Sequence, residues 1–216
     1  VDTLFTENYP VATSVLSQEA LGYKDESEHY AYDPEKAEEL LDEAGWAEGS
    51  DGIREKDGER MSITVYEAAP QPLSKQTLEL VAQQLAKVGV ELTVKPADAG
   101  SYAEDTRDPL KTGFYHSMVG RADFDVIKSQ YHTKNRDVLI SNDAELDALL
   151  EAVASEPDTG KRAEASQAVQ DYIAEQAYVI PLFEEPQVYG TATYVHGVDF
   201  ESVGRPTFSG VWLSEH

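Results

Sequence analysis

Cysteine is absent from this sequence of 216 residues, which excludes disulfide bonds, thiolate metal ligands and cysteine nucleophiles. Because exported and cytosolic proteins can both lack cysteine, its absence indicates no particular redox compartment. Basic residues are scarce as well: 17 lysines and arginines stand against 41 aspartates and glutamates, so the formal net charge is −24. Binding to nucleic-acid phosphates or to an anionic membrane surface requires clustered positive charge. We therefore expect neither as a binding partner.

Long hydrophobic runs are also missing, since no stretch approaches the roughly 20 apolar residues of a membrane-spanning helix. The first residues, Val1-Asp2-Thr3, do not resemble an export signal, which has a basic start and an apolar middle. Hydrophobic residues still make up 41% of the chain, which is enough for a core in spite of the acidity.

The acidic residues are spread along the chain, so we interpret them as the solvated surface of a secreted or salt-tolerant protein. The alternative, a site for a cation or a cationic ligand, would need the acids concentrated at one place.

Hydrophobic periodicity and capping residues predict an α/β fold with a mixed sheet and helices on its faces. The clearest part is a strand–helix–strand unit formed by Met61–Tyr66, Leu73–Val88 and Val90–Val94. Two strands connected in this way should be parallel, with a right-handed crossover. Asp57-Gly58, between two short extended runs, predicts a β-hairpin with a type I′ turn.

The same signals place the remaining elements. A helix begins at Pro34, with Asp33 as its N-cap, and ends at Gly45. The other predicted elements are three helices, three strands and one irregular stretch, in chain order: helix Ser101–Thr106, strand Gly113–Val119, irregular Gly120–Asn142, helices Asp143–Ala154 and Asp158–Gln176, and a buried strand Tyr178–Phe183 continued by strand Gln187–Gly190.

Motifs that carry catalysis are not found. The five histidines form no HExxH pattern, and the sequence has neither a GxSxG elbow nor a glycine-rich nucleotide loop, which argues against metallohydrolases, serine hydrolases and nucleotide sites. His116, on a predicted strand, is more simply a solvent-facing or hydrogen-bonded histidine than a ligand. We expect no catalytic residue, no metal and no cofactor.

One segment stands out from this background. Arg121-Ala122-Asp123-Phe124-Asp125 follows a predicted strand directly, inside a long loop. Ligands of open α/β sheets bind beyond the carboxyl ends of strands, where a carboxylate can pair with the ammonium group of a ligand. The alternative is that Asp123 or Asp125 caps a turn or pairs with Arg121.

The segment Tyr32–Trp46, with the sequence YDPEKAEELLDEAGW, resembles a motif of the bacterial extracellular solute-binding proteins of family 5. Shorter matches occur in the same order as in that family: Val11–Ser14, Gln83–Val90, Tyr178–Leu182 and Val211–Leu213. The family serves ABC importers for dipeptides, oligopeptides and nickel. The resemblance implies the C-terminal lobe of a type II periplasmic-binding-protein-like fold and an incomplete chain. Residues 1–190 would form this second ligand-binding lobe, and residues 191–216 a tail that crosses back to a first lobe.

The resemblance also implies site residues. In peptide-binding members, an aspartate in a Gly-Trp-x-x-Asp segment anchors the amino group of the ligand, and Asp123 takes that position in Val119-Gly120-Arg121-Ala122-Asp123. Gly120 replaces an aromatic residue, which leaves the ligand class open, and Arg121 is suited to a carboxylate or phosphate instead. Three further side chains are candidate pocket walls, although a place in the core is the favoured interpretation of each: Tyr115, Met118 and Tyr131.

The favoured hypothesis is therefore a non-enzymatic, monomeric binding protein that delivers a peptide or small polar solute to a membrane permease. By the same resemblance it would be extracytoplasmic, in the periplasm or at the cell surface, with a lipid anchor in the full-length protein. Two alternatives stay open: an acidic extracellular hydrolase with Asp123 and Asp125 as a carboxylate pair, and a non-catalytic interaction module. The hydrolase is disfavoured because side chains two residues apart on a strand point to opposite faces.

Overall fold

The structure is a computed structural model that describes residues 8–68, 71, 73–96, 104–105, 108, 114–115, 124–201 and 204–215. The chain forms two compact units. We call Ala31–Met118 the sheet unit, and Val1–Tyr30 together with Val119–His216 the helical unit. The predicted boundary between residues 190 and 191 concerns a different division of the chain and stays a prediction.

The sheet unit begins with helix α1, Pro34–Glu43. Its start and end are as predicted: the side chain of Asp33 accepts a hydrogen bond from Lys36 N at 2.8 Å, and Gly45 has a φ of 85°, a conformation that glycine adopts without strain. No residue of α1 is buried, and Leu40 is 52% exposed. Leu40 is therefore largely open to solvent among the described residues.

Two short sheets follow. Strands β1 (Ala47–Glu48), β2 (Arg54–Lys56) and β3 (Glu59–Arg60) form an antiparallel sheet, and both residues of the Asp57-Gly58 turn have positive φ, which confirms the type I′ hairpin. The second sheet is built from β4 (Ser62–Tyr66), helix α2 (Ser74–Lys87), β5 (Glu91–Lys95) and β6 (Phe114–Tyr115). Its strand order is β5-β4-β6, and both pairings are parallel, as predicted for β4 and β5.

Arg54 joins three parts of the sheet unit. Its side chain is buried, Nε donates to the carbonyl of Val88 at 2.9 Å, and Nη1 donates to the carbonyl of Trp46 at 2.6 Å. Nη1 also pairs with Asp42 of α1. The guanidinium group thus connects the carbonyl at the end of α2, the carbonyl before β1 and the carboxylate of Asp42.

Gly89 lies directly against this arginine. Its φ is 82°, and a Cβ built there would be 2.7 Å from Cγ of Arg54. Gly52 has nearly the same φ, 83°, but a Cβ there meets no atom within 4 Å. The two glycines therefore need the same backbone conformation and differ in the space around them.

We expect Gly89→Ala to lower the free energy of unfolding more than Gly52→Ala does. Both changes place an alanine at positive φ, which costs about 1–2 kcal/mol, and only Gly89→Ala adds a collision, which costs about 1–3 kcal/mol more. Urea denaturation of the two variants measures the difference. Equal losses would show that Arg54 moves aside freely.

The helical unit contains α3 (Asp125–Tyr131), α4 (Ala144–Ser155) and α5 (Thr159–Glu175). Asp143 and Asp158 cap α4 and α5: Asp143 accepts from Glu145 N and Leu146 N, and Asp158 accepts from Lys161 N. The core of the unit consists of buried apolar side chains from the three helices and from the N-terminal segment: Leu16, Ala20, Phe124, Val126, Ile127, Tyr131, Leu146, Leu150, Val153, Val169 and Ile173.

The second oxygen of Asp143 accepts from the hydroxyl groups of Tyr172 at 2.9 Å and Tyr178 at 2.7 Å. Burial opposes ionisation of Asp143, but these hydrogen bonds and those from the helix N-terminus outweigh it and lower its pKa. The same contact raises the pKa of Tyr172 to about 12. One carboxylate therefore both caps α4 and fixes the chain that leaves α5.

Three sequence predictions for the helical unit are wrong. Gly120–Asn142 is not irregular throughout, because α3 lies within it; no side chain caps α3, so its start carries no local signal. Tyr178–Phe183 is not a buried strand: it makes only an isolated bridge, between Phe183 and Val11, and Ile180 is 67% exposed. Pro181 has no N–H for a ladder. Gln187–Gly190 is not a strand either, and Val188 is 84% exposed.

Two further predictions are only partly covered. Most of the predicted helix Ser101–Thr106 lies outside the described residues, and of the predicted strand Gly113–Val119 the structure describes only Phe114–Tyr115, which form β6.

The last part of the chain forms two small antiparallel pairs, β7 (Val195–His196) with β10 (Trp212–Leu213) and β8 (Asp199–Phe200) with β9 (Pro206–Thr207). Its apolar side chains are largely exposed: Val188, Tyr189, Phe200, Phe208, Trp212 and Leu213.

Among the described residues, no helix has both the length and the apolar character needed to cross a membrane.

Helix α1 shows how the acidic residues are placed. Glu35, Glu38, Glu39, Asp42 and Glu43 are all exposed, and several are four residues apart, which destabilises a helix through repulsion. The helix supports the interpretation of the acidity as a solvated surface.

We expect the melting temperature to rise when the salt concentration is raised from 0.1 to 1 M, because the screening length falls from about 10 to about 3 Å and repulsion weakens. Thermal melts in sodium chloride and in choline chloride at equal ionic strength provide the measurement. A rise in sodium chloride alone would favour a specific cation site instead.

Candidate ligand-binding site

The carboxyl ends of the three parallel strands form the candidate site. The last residues of β4, β5 and β6 are Tyr66, Lys95 and Tyr115, and the register places Tyr66 opposite both of the others. Ligands bind at this edge in open α/β sheets. The candidate residues of the sequence analysis follow β6 in the chain.

Tyr66 is held firmly at this edge. Its side chain is 2% exposed, and its hydroxyl group donates a hydrogen bond to Oδ2 of Asp105. Nζ of Lys95, an exposed residue, lies 5.6 Å from the centre of the Tyr66 ring, a distance at which a cation is attracted to an aromatic face. The backbone N–H of Glu67 donates to the carbonyl of Lys95 at 3.0 Å, which extends the pairing beyond the strands.

This edge places the exposed ammonium group of Lys95 beside a buried phenol whose hydroxyl group is bonded to the carboxylate of Asp105. Sequence reasoning did not single out Tyr66, Lys95 or Asp105. The ends of the two strands in the βαβ unit indicate Tyr66 and Lys95, because the last residue of each parallel strand lies at the carboxyl edge of the sheet.

The predicted site residues are only partly described. The backbone of Tyr115 pairs with that of Tyr66 in the sheet. Met118, Gly120, Arg121 and Asp123 lie outside the described residues, as does His116.

Two candidates have other roles. Tyr131 is 7% exposed and belongs to the core of the helical unit, which confirms the core interpretation. Asp125 is the first residue of α3, is 66% exposed and pairs with Nη2 of Arg162 at 3.0 Å. The described part of the chain therefore gives Asp125 a helix-end ion pair and does not place it on a strand end.

Among the described residues, no group of three or more histidines and acids is arranged to hold a metal ion. Among the described histidines, His132 is the most buried, at 2% exposed, and both of its ring nitrogens have polar partners. Its Nδ1 accepts from Lys134 N at 3.0 Å, and its Nε2 lies 2.9 Å from Oε1 of Glu151. Because Nδ1 accepts, Nε2 carries the hydrogen and donates it to Glu151. His132 thus fixes the end of α3 to α4.

The model of the "Bacterial extracellular solute-binding proteins, family 5 Middle" matches residues 1–136, which include the whole sheet unit and its carboxyl edge. The chain belongs to this family. The resemblance found in the sequence is thereby confirmed.

Two solute-binding proteins with similar sequences are consistent with this assignment. The oligopeptide-binding protein OppA of Mycobacterium tuberculosis is 25% identical over 226 residues, with 93% of this chain and 36% of OppA covered. The glutathione-binding protein GsiB of Escherichia coli is 27% identical over 190 residues, with 82% of this chain and 35% of GsiB covered. The chain thus spans just over a third of the length of these relatives.

The fold is shared with a solved structure, the oligopeptide-binding protein AppA from Bacillus subtilis in complex with a nonapeptide. The TM-score is 0.76 at 20% identity, with 96% of this chain and 43% of AppA covered. The predicted α/β, periplasmic-binding-protein-like class is confirmed. Within the described residues, parallel and antiparallel pairings lie in separate short sheets.

Proposed function

We propose that the chain belongs to the substrate-binding component of an ABC importer, which holds a peptide or small polar solute between two lobes and delivers it to a membrane permease. The observation that carries the proposal is the family match, which covers the entire sheet unit. The polar edge formed by Tyr66, Lys95 and Asp105 supports it, because such groups orient a polar solute.

Asp123 is proposed as the anchor for an amino group of the ligand. It lies eight positions after Tyr115, the last residue of β6, so the segment that carries it starts at the candidate edge. Gly120, Arg121, Tyr115 and Met118 are proposed to line the same site, with Arg121 suited to a carboxylate or phosphate.

We propose binding without catalysis. The hydrolase alternative needs Asp123 and Asp125 as a pair, and the ion pair of Asp125 with Arg162 gives that carboxylate a different use. Binding energy would instead shift an equilibrium between open and closed arrangements of two lobes, and the closed form would dock on the permease.

Residues 191–216 are proposed as the tail that crosses to a first lobe, with residues 1–190 as the second. The exposed apolar side chains of the tail, which include Phe208, Trp212 and Leu213, support this proposal because such a patch usually marks a surface that is covered. We further propose a monomer in an extracytoplasmic location with a lipid anchor.

Calorimetry of the complete protein against a peptide library, with turnover assays on model peptides and glycosides, tests the proposal. We expect saturable heat with a subset of ligands and no product. Turnover would favour the hydrolase, and the absence of both heat and turnover would favour the interaction module.

A further inference from the structure

A buried carboxyl group, that of Glu26, lies in the helical unit, where the N-terminal segment packs on α5, whereas the candidate ligand site belongs to the sheet unit. Glu26 is 3% exposed, and carboxylates are rarely so buried unless they are paired. Lys24 Nζ is 3.4 Å from Oε1 and His29 Nε2 is 3.6 Å from Oε2. Even so, no described residue donates a hydrogen bond of good geometry to Oε1, which is itself buried.

A second acid, Asp171 of α5, shares the same cation. Nζ of Lys24 pairs with Asp171 as well as with Glu26, so the two carboxyl groups lie around one ammonium group. Two carboxylates repel each other, whereas a carboxylic acid can donate a hydrogen bond to a carboxylate. A proton on Glu26 therefore removes this repulsion and gives the buried carboxyl group a hydrogen to donate to Asp171.

We propose that Glu26 and Asp171 share one proton in mildly acidic conditions and that this proton clamps residues 23–30 onto α5. The segment matters because Tyr30 is the last residue of the helical unit before the chain enters the sheet unit at Ala31. The proton thus controls how firmly the chain is held just before it passes from one unit to the other. This inference does not depend on the proposed function.

A second set of contacts holds the same segment without any charge. Gln170, which is 1% exposed, accepts hydrogen bonds from Ser14 Oγ at 2.8 Å and Lys24 N at 3.0 Å, and donates to the carbonyl of Gly22 at 2.7 Å. These amide contacts do not titrate. Release of the proton therefore loosens residues 23–30 locally while Gln170 keeps the segment on the helix.

The charged surroundings set the pH range of the clamp. Burial raises the pKa of Glu26, Asp171 raises it further, and Lys24 opposes both. Burial also disfavours the ionised form of Asp171, but hydrogen bonds from Lys24 and Glu26 outweigh it and lower its pKa. Tyr30 faces the same group, and its pKa is raised, first by burial and then by Glu26.

The direction of the pH dependence follows from these shifts. The contribution of Glu26 to stability is fully present below its unfolded pKa of about 4.3 and is lost as the pH rises through the higher folded value. The contribution of Asp171 is present above its unfolded pKa of about 3.9 and is lost as the pH falls through its lower folded value. The clamp is therefore strongest near about pH 4, where both contributions are present, and it weakens as the pH rises through the raised pKa of Glu26.

Amide hydrogen exchange of Glu26 in the complete protein tests the clamp, with the amide of Lys24 as the internal reference. The N–H of Glu26 donates to the carbonyl of Thr13 at 3.0 Å, whereas that of Lys24 donates to Gln170, whose contacts do not titrate. Between pH 4 and pH 8, after correction for intrinsic exchange, we expect the protection of Glu26 to fall and that of Lys24 to stay constant.

Three variants decide the cause. In Glu26→Gln the fall should disappear, because the amide still donates to Asp171 and has no proton to lose. Glu28→Gln, which removes an equal charge from an exposed neighbour, should keep the fall, and so should His29→Gln. A fall that persists in Glu26→Gln, or that disappears only in His29→Gln, would overturn the proposal.

A direct titration covers the case in which Glu26→Gln does not fold. The carboxyl ¹³C shift of Glu26 in the unmodified protein should titrate above its ordinary value of about 4.3. A midpoint at or below that value would overturn the proposal as well.

Discussion

Asp123→Ala in the complete protein is expected to weaken the binding of a ligand with a free amino group at least tenfold. A hydrogen bond to a charged group contributes about 1.5–3 kcal/mol, and about 1.4 kcal/mol corresponds to tenfold in affinity. The prediction depends on the place of Asp123 in the segment after β6, which begins at the carboxyl edge of the sheet. Isothermal titration calorimetry with a peptide and its N-acetylated form measures the effect.

The matched control for this change is Asp125→Ala, two residues further on. Asp125 is exposed and pairs with Arg162 at the start of α3, so its loss should leave ligand affinity unchanged. The N-acetylated peptide should bind weakly to the unmodified protein and should not lose further affinity in Asp123→Ala. If both peptides bind both proteins equally, Asp123 does not contact an amino group, and Arg121 becomes the residue to replace.

Arg54→Met is expected to lower the free energy of unfolding by about 2–6 kcal/mol, because each of two carbonyl groups left without a donor costs about 1–3 kcal/mol. The variant keeps the apolar stem and loses the guanidinium group, so the carbonyls of Val88 and Trp46 lose their donors. The lost ion pair with Asp42 adds little because Asp42 is 68% exposed and solvent screens it. Urea denaturation followed by circular dichroism provides the measurement.

Arg60→Met serves as the control for Arg54→Met, since Arg60 lies on β3 of the same small sheet. Its ion pairs with Asp51 and Glu91 are on the surface, where such pairs contribute little. We expect its denaturation midpoint to stay close to that of the unmodified protein. Equal losses in the two variants would mean that total positive charge, and not the buried carbonyl contacts of Arg54, sets stability in this acidic chain.

Elements with local chemical signals were predictable from the sequence. The caps at Asp33, Asp143 and Asp158 use side chains that bond to backbone N–H groups within three residues, and the turn at Asp57-Gly58 depends only on positive φ at two adjacent positions. The parallel pairing of β4 and β5 followed from the helix between them. Each of these features depends on a short stretch of chain.

Features that depend on distant residues were not predictable. The apolar run Tyr178–Phe183 has the composition of a buried strand, but its partner is one residue of the N-terminal segment, Val11. Gln170 and Asp171 look like ordinary polar residues of a helix, and their roles arise from contacts with residues about 150 positions earlier. No periodicity within the helix could reveal either contact.

The candidate site contains residues that the sequence indicated and residues that only the fold reveals. Asp123 and Arg121 were indicated by their place after a predicted strand and by the resemblance to family 5, which is confirmed at the level of the family. Tyr66 and Lys95 came from the strand order β5-β4-β6, since only a central β4 places both neighbours beside Tyr66. No local signal in the sequence indicates the position of β6 in the sheet.

Native mass spectrometry of the complete protein, purified without added ligand, tests the central claim most directly. A binding component should carry one peptide or small polar solute as a noncovalent complex and release it chemically unchanged on denaturation. A protein without any bound solute that converts model peptides or glycosides to products would contradict the account.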